Sequence, residues 1–165
     1  MKHRRGFTLI ELIVVVILIG VLLAIVVPRL LGSTDDANAK LIAKNVKDIR
    51  DAVAMAKMKC LSELNAVGAA GTPDTAQLLQ ALASTNCQIL PQNAYEVDSQ
   101  NYAKVKDFKI QTDFRNSNND LVVVIDCNGN DSICGKVRTQ LNEIYGQSTC
   151  QNPPTNGVLS CILPL

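Results

Sequence analysis

The feature that most constrains this chain is an apolar run from Phe7 to Val27 that contains one charged residue, Glu11. A helix of these 21 residues extends about 31 Å at ~1.5 Å per residue, which is enough to cross the hydrocarbon layer of a membrane. Basic residues precede the run and predict a cytoplasmic N-terminus, with the rest of the chain exported. The run therefore predicts a membrane-spanning helix near the start of the sequence.

Two ordinary explanations of this run fit less well. A secretory signal has a shorter apolar core and a small-residue cleavage site after it, whereas Pro28-Arg29-Leu30-Leu31 follows here. A single-span anchor for a sensor or binding protein is the second explanation. It leaves Glu11 without a purpose, although an ionisable side chain inside a span costs about 2.5–3.5 kcal/mol on insertion scales. The carboxylate therefore indicates a partner or a function within the membrane.

The segment Arg5-Gly6-Phe7-Thr8-Leu9-Ile10-Glu11, followed by the apolar run, resembles the class III signal of type IV pilins and type II secretion pseudopilins. The resemblance is close over residues 4–31 and only architectural beyond residue 32. It implies cleavage after Gly6 by a membrane prepilin peptidase that faces the cytoplasm, and then N-methylation of Phe7. It also implies a helical homopolymer as the final state and the pilus assembly machinery of the inner membrane as a partner.

The chemistry of this motif follows from its residues. Gly6 has no side chain, so a peptidase can bring its carboxylates close to the following peptide bond. Cleavage there leaves a free amine on Phe7, four residues before Glu11. An unpaired ammonium and an unpaired carboxylate are both costly in a membrane. We therefore expect Glu11 of one subunit to pair with the Phe7 amine of a neighbour and to fix the axial register; the alternative is that Glu11 reaches the lipid headgroups.

The end of the run contains helix-disturbing residues. Pro28 lacks an amide donor, Gly32 and Ser33 follow it, and many family members carry a helix-bending proline at the place of Pro28. We expect a kink at residues 28–34, or an unwound stretch once the subunit is packed in a fibre. Ser33 or Thr34 is then expected to cap a restarted helix.

The rest of the chain predicts an α+β head. Apolar residues recur at spacings of three and four up to about Asn65, which indicates an amphipathic helix lying on a sheet: Ile42, Val46, Ile49, Val53, Ala56, Cys60 and Leu64. Thr72-Pro73-Asp74 predicts the start of a short helix that runs through 77–82. Strands are predicted over 108–114, 121–125 and 132–138, in an antiparallel sheet of three or four strands.

The six cysteines indicate disulfides in an oxidising compartment, because the mature chain lacks histidine and no C-x-x-C spacing suggests zinc. Six cysteines can pair in many ways. Pairing of sequence neighbours is favoured because each loop is short: Cys60–Cys87, Cys127–Cys134 and Cys150–Cys161. The last pair encloses a tail with little predicted regular structure and resembles the disulfide-bounded C-terminal region of many pilins.

Other candidate sites are set aside. Asp126, Asn128, Asn130 and Asp131 form an oxygen-rich turn, but its glycine is misplaced for an EF-hand loop and no Glu completes the ligand set, so a polar turn is favoured over calcium. Lys104, Lys106 and Lys109 fit a half-exposed strand better than a nucleic-acid contact. His3 leaves with the leader, which excludes histidine-dependent nucleophilic catalysis. We expect neither enzymatic activity nor a cofactor.

The sequence therefore predicts a leader at 1–6, a membrane and assembly helix at 7–31, and a head at 32–165. The favoured function is a type IV pilus subunit, kept in the bacterial inner membrane and then assembled into an extracellular fibre for adhesion, twitching motility or DNA uptake. The alternative within the family is a periplasmic pseudopilin of type II secretion. The alternative from another class is the single-span binding or sensor protein.

Overall fold

A computed structural model describes residues 8–67, 75–115, 120–146, 149–151 and 154–165, without the side chains of 29–33 and 115. Its backbone forms two compact units, Met1–Asp36 and Ala37–Leu165. The elements follow in the order α1 (Leu9–Lys59), α2 (Leu61–Val67), α3 (Thr75–Ala83), β1 (Glu96–Val97), β2 (Ala103–Val105), β3 (Phe108–Arg115), β4 (Asp120–Asp126), α4 (Asp131–Tyr145) and β5 (Val158–Pro164).

The second half of α1 is amphipathic, as its periodicity predicts. All seven residues of the predicted apolar stripe are buried, among them Ile42, Val46 and Ile49 with no exposed surface. Lys40, Lys44 and other charged side chains remain exposed. The predicted continuation of one helix to about Asn65 is wrong in detail, because α1 ends at Lys59 and the chain resumes as α2 after Cys60.

The sheet is an antiparallel meander in the order β1-β2-β3-β4-β5. Its register places Ile110 opposite Ile125 and Val123 opposite Cys161. Side chains alternate across each strand, so one face is apolar and buried. This face joins the stripe of α1 in a single hydrophobic cluster that includes Ile110, Phe114, Leu121, Val123, Ile125, Leu159 and Leu163. The α+β class is confirmed, with five strands in place of the predicted three or four.

The predicted strand at 132–138 is wrong, because Asp131–Tyr145 forms helix α4. The side chain of Asn130 caps this helix by accepting a hydrogen bond from the Ile133 amide at 3.1 Å. Ile133, Val137 and Leu141 are buried at a spacing of four residues, which is helical. The short apolar run around Cys134 fits either element, and the cap and the longer period favour the helix.

The C-terminal tail has more regular secondary structure than the sequence predicts. Val158–Pro164 forms β5, which pairs with the whole length of β4. Its buried residues Leu159, Cys161 and Leu163 alternate with more exposed ones. Because β4 and β5 are separated by α4, this pairing is non-local and leaves only a short alternation in the sequence as its signal.

Two glycines bring the turn before α4 against the turn before β5. Gly157 has φ +72°, and a Cβ atom added there would collide with the backbone of Gly129. The contact is held by two hydrogen bonds: the Cys127 amide donates to the Gly157 carbonyl at 2.7 Å, and the Gly157 amide donates to the Asp131 carboxylate at 2.6 Å. Only glycine satisfies both the conformation and the spacing.

We therefore predict that Gly157→Ala lowers the free energy of unfolding of the head by at least about 2 kcal/mol, from backbone strain and overpacking. The measurement is denaturant unfolding of the full-length chain in detergent micelles, followed by near-UV circular dichroism. Gly135→Ala is the matched control, since a Cβ in that α4 position meets nothing within 4 Å. It should be neutral or stabilise by roughly 0.5–1 kcal/mol. Equal effects of the two substitutions would contradict this packing.

Candidate assembly site

The first half of α1 is an apolar surface without cover from the rest of the described chain. Leu9–Pro28 has a mean hydropathy of 3.4 and no buried residue, and it is long and apolar enough to cross a membrane. Its large side chains are exposed by between 45% at Val27 and 78% at Leu9. Apolar burial stabilises by roughly 25 cal/mol per Å². This helix therefore requires lipid or other apolar helices around it.

Glu11 lies in the first turn of α1 and is held by Thr8. The Thr8 amide donates to Glu11 Oε2 at 2.9 Å, and the Thr8 hydroxyl donates to the same oxygen at 2.8 Å. The side chain of the third helical residue thus reaches back to the residue before the helix, which is half of a capping box. In the part of the chain that the structure describes, the ion pairs found do not include Glu11. Among the described residues, its carboxylate has two hydrogen-bond donors and no cationic partner.

Thr8 is not among the residues predicted for this site. The signal was present, because Thr8-Leu9-Ile10-Glu11 matches the T-x-x-E pattern that precedes an apolar run at a helix start. Gly6 and Phe7, which carry the predicted cleavage and methylation, lie outside the described residues. The pairing of Glu11 with a neighbour's Phe7 amine concerns the assembled state and stays a prediction.

The backbone of α1 continues through Pro28 and Gly32 as one assigned helix. The expected restart with a Ser33 or Thr34 cap is therefore wrong for the single chain, because both residues lie inside the helix. Pro28 still removes one amide donor from the helical ladder. Unwinding of this stretch in a fibre stays a prediction.

Three disulfides join the cysteines in the sequence-neighbour pairs favoured above: Cys60–Cys87, Cys127–Cys134 and Cys150–Cys161. The first ties the end of α1 to the segment after α3. The second joins the end of β4 to the first turn of α4, and the third joins the segment between α4 and β5 to β5 itself. Disulfides of this kind each contribute typically ~2–4 kcal/mol, largely by restricting the unfolded chain.

The oxygen-rich turn is occupied by backbone hydrogen bonds. Asp126 accepts from the Asn128 amide at 2.8 Å, while Asn130 and Asp131 accept from Ile133 and Gly157 as described above. Within the described ranges, His, Cys, Asp and Glu side chains form no group of three that could hold a metal ion. These contacts make the turn a joint between β4, α4 and β5, and favour the structural interpretation over calcium.

The three lysines considered as a nucleic-acid contact have partners on the head. Lys104 pairs with Glu96 at 2.8 Å, Lys109 pairs with Asp98 at 3.0 Å, and Lys106 lies 3.5 Å from the Asn38 side-chain oxygen. The backbone amide of Tyr102, followed by the Lys109 side chain, lowers the pKa of the Asp98 carboxyl. These ion pairs balance the local charge and connect β1, β2 and β3.

Comparison with known proteins shows what the N-terminal part of this chain is similar to. The family described as "Prokaryotic N-terminal methylation motif" matches residues 1–27, which include the apolar helix and Glu11. The matched segment therefore holds most of the helix that is long and apolar enough to cross a membrane.

Several curated proteins are similar to part of this chain. The chain is 34% identical over 84 residues to type II secretion system core protein G of Klebsiella pneumoniae, covering 51% of this chain and 54% of that protein. It is 44% identical over 57 residues to the type IV narrow pilus major component PilA5 of Thermus thermophilus, covering 34% and 49%. It is 33% identical over 96 residues to core protein G of Vibrio cholerae, covering 58% and 60%.

The chain spans about half the length of the curated relatives it matches. No solved structure matches it significantly. The motif and these relatives support placing the chain in the family of type IV pilins and type II secretion pseudopilins.

We predict that Thr8→Val opens the start of α1 by removing the hydroxyl donor to Glu11. Amide hydrogen exchange of residues 8–12, measured by NMR on the full-length chain in micelles, should become about two- to tenfold faster, as expected for the loss of one hydrogen bond. Thr8→Ser retains the donor and should exchange like the native chain. If the Val and Ser variants exchange at the same rate, the hydroxyl does not stabilise this turn.

Proposed function

We propose that this chain is the repeating structural subunit of a type IV pilus. The observation that carries the proposal is the helix Leu9–Pro28, which exposes only apolar side chains apart from Glu11. Thr8, just before the helix, donates two hydrogen bonds to Glu11. Lipid can cover the apolar side chains before assembly, and the helices of other copies can cover them in a fibre. The subunit is thereby stored in the membrane and polymerised without refolding.

Processing supplies the polar half of this proposal. Cleavage after Gly6 creates a positive charge on Phe7, next to Thr8 and within one turn of Glu11. In a low-dielectric helical core an ammonium and a carboxylate attract each other strongly, and each is costly when left alone. A neighbour's amine therefore adds to Glu11 the cationic partner that Thr8 does not provide. This ion pair stabilises one axial position of the incoming helix relative to the others.

The head is cross-linked by three disulfides. Its three disulfides close the segments that follow α1, β4 and the α4 region, so local opening is restrained. Such cross-links suit a subunit that stays exposed in an oxidising compartment. The match to PilA5, which is named a major pilus component, is consistent with a pilus subunit.

A second candidate is the pseudopilin of a type II secretion system. Two longer alignments, over 84 and 96 residues, are with proteins named core protein G. In this case the same helix and the same Glu11 would assemble a periplasmic fibre that serves protein secretion. The two functions share their assembly chemistry and differ in fibre length and location.

Glu11→Ala is predicted to permit cleavage and to reduce fibre yield by at least about tenfold, because the incoming amine loses its partner. Glu11→Gln keeps an oxygen for Thr8 but not the charge, so it should also assemble poorly. Mass spectrometry of the mature N-terminus and electron microscopy of sheared fibres measure the two steps. Glu143→Ala, which removes an exposed acid from α4, is the matched control and should assemble normally.

Three results separate the candidates. Long surface fibres of this subunit support the pilus, whereas fibres confined to the periplasm together with a secretion defect on deletion of the gene support the pseudopilus. A native chain that keeps residues 1–6 and stays monomeric supports the single-span anchor. Normal fibres from Glu11→Gln would show that the charge has no part in assembly.

A further inference from the structure

The head contains a groove whose lining includes no residue of the candidate assembly site. It lies between α3 and the segment that leads from α3 to β1, with a volume of about 570 Å³. A second depression of about 360 Å³ adjoins it and shares the wall formed by Leu90, Pro91 and Gln92. The larger volume is within the range of small-molecule sites, which run from roughly 300 to 1,000 Å³.

The groove is preformed by contacts that hold its outer wall. The amides of Ile89 and Leu90 donate to the Leu82 carbonyl at the end of α3, at 3.0 and 3.2 Å. The disulfide Cys60–Cys87 ties the same segment to the end of α1, and the Lys59 ammonium donates to the Cys87 carbonyl at 2.6 Å. A wall fixed in this way loses little entropy when a ligand binds.

The chemistry of the lining is neutral and mixed. Among the described residues that line the groove, none is charged; the polar ones carry amides or hydroxyls, including Gln80, Thr85, Gln92 and Asn93. Tyr95 supplies an aromatic ring, and Pro91 lies on the same wall. Burial, together with the Asp48 carboxylate, raises the pKa of the Tyr95 hydroxyl, so this side chain is uncharged at neutral pH.

The backbone of the outer wall is also unusual. Asn93 has φ +62° and Gln88, in the adjoining depression, has φ +49°. Non-glycine residues in this conformation cost free energy, and such positions are enriched at ligand sites. Asparagine tolerates the left-handed conformation better than glutamine does, so Gln88 is the more notable of the two.

We propose that this groove binds a neutral saccharide. Sugar hydroxyls both donate and accept hydrogen bonds, as do the side-chain amides and hydroxyls of the lining. The C–H face of a sugar ring is apolar and can cover an aromatic ring such as that of Tyr95. The absence of charge from the described lining disfavours anionic sugars and nucleotides. Two adjoining depressions provide room for a second sugar unit. The proposal applies equally to a pilus and to a pseudopilus.

The test uses the full-length processed chain in detergent micelles and saturation-transfer NMR followed by titration. The neutral probes are N-acetylglucosamine, lactose, maltose and chitobiose, and the charged probes are sialyllactose and glucuronic acid. At least one neutral probe should bind, and both charged probes should bind at least about tenfold more weakly. Tyr95→Ala should weaken neutral binding at least about tenfold, as for a central aromatic contact, whereas Tyr95→Phe keeps the ring and should retain it.

Because Tyr95 packs partly on the core, an exposed position gives an independent test. Gln80→Ala should weaken binding about two- to tenfold without unfolding the head, as for a lost hydrogen bond. Gln100→Ala, an exposed glutamine outside the groove lining, is the matched control and should bind like the native chain. The proposal is overturned if no neutral probe binds, if binding is unchanged in both Tyr95→Ala and Gln80→Ala, or if the charged probes bind as tightly as the neutral ones.

Discussion

The structure depends on one helix whose first half is not buried by any part of the chain that the structure describes. From Leu9 to Val27 the large side chains are about half exposed, so an aqueous single chain is not their stable state. Lipid tails and neighbouring apolar helices cover them almost equally well, so apolar burial alone gives little preference between membrane and polymer. A polar interaction can supply this preference, and Glu11 is the acidic residue available for it in this segment.

The Glu11 carboxylate has different partners in the single chain and in a polymer. In the single chain the carboxylate accepts two hydrogen bonds from Thr8 and starts the helix. In a polymer an amine from a neighbour would add a charge-assisted bond, which is roughly twice as strong as a neutral one. The second half of α1 has a different task, because its apolar stripe is buried in the head. The head thus has a hydrophobic core and disulfides of its own.

Local patterns in the sequence predicted the helical stripe of Ile42, Val46 and Ile49 and the alternation around Ile110 correctly, since each pattern repeats over several turns or pairs. The errors arose where the signal was short or non-local. Cys134 lies in a brief apolar run that fits a strand or a helix, and the cap at Asn130 was the deciding feature. Strand β5 pairs with β4 although α4 lies between them in the sequence, and its short local alternation does not predict that pairing. Thr8 was not predicted, although it lies in the same motif as Gly6, Phe7 and Glu11. Its T-x-x-E spacing to Glu11 is the signal for the capping contact.

The most direct measurement is a cryo-electron microscopy map of the native polymer, with resolution sufficient to trace the N-terminal helices and locate the Glu11 side chain. The account predicts Leu9–Pro28 segments packed together along the fibre axis, with Glu11 of each subunit within hydrogen-bonding distance of a neighbour's Phe7 nitrogen. A fibre held by head contacts alone, with these helices outside its core or with Glu11 facing solvent, would contradict it.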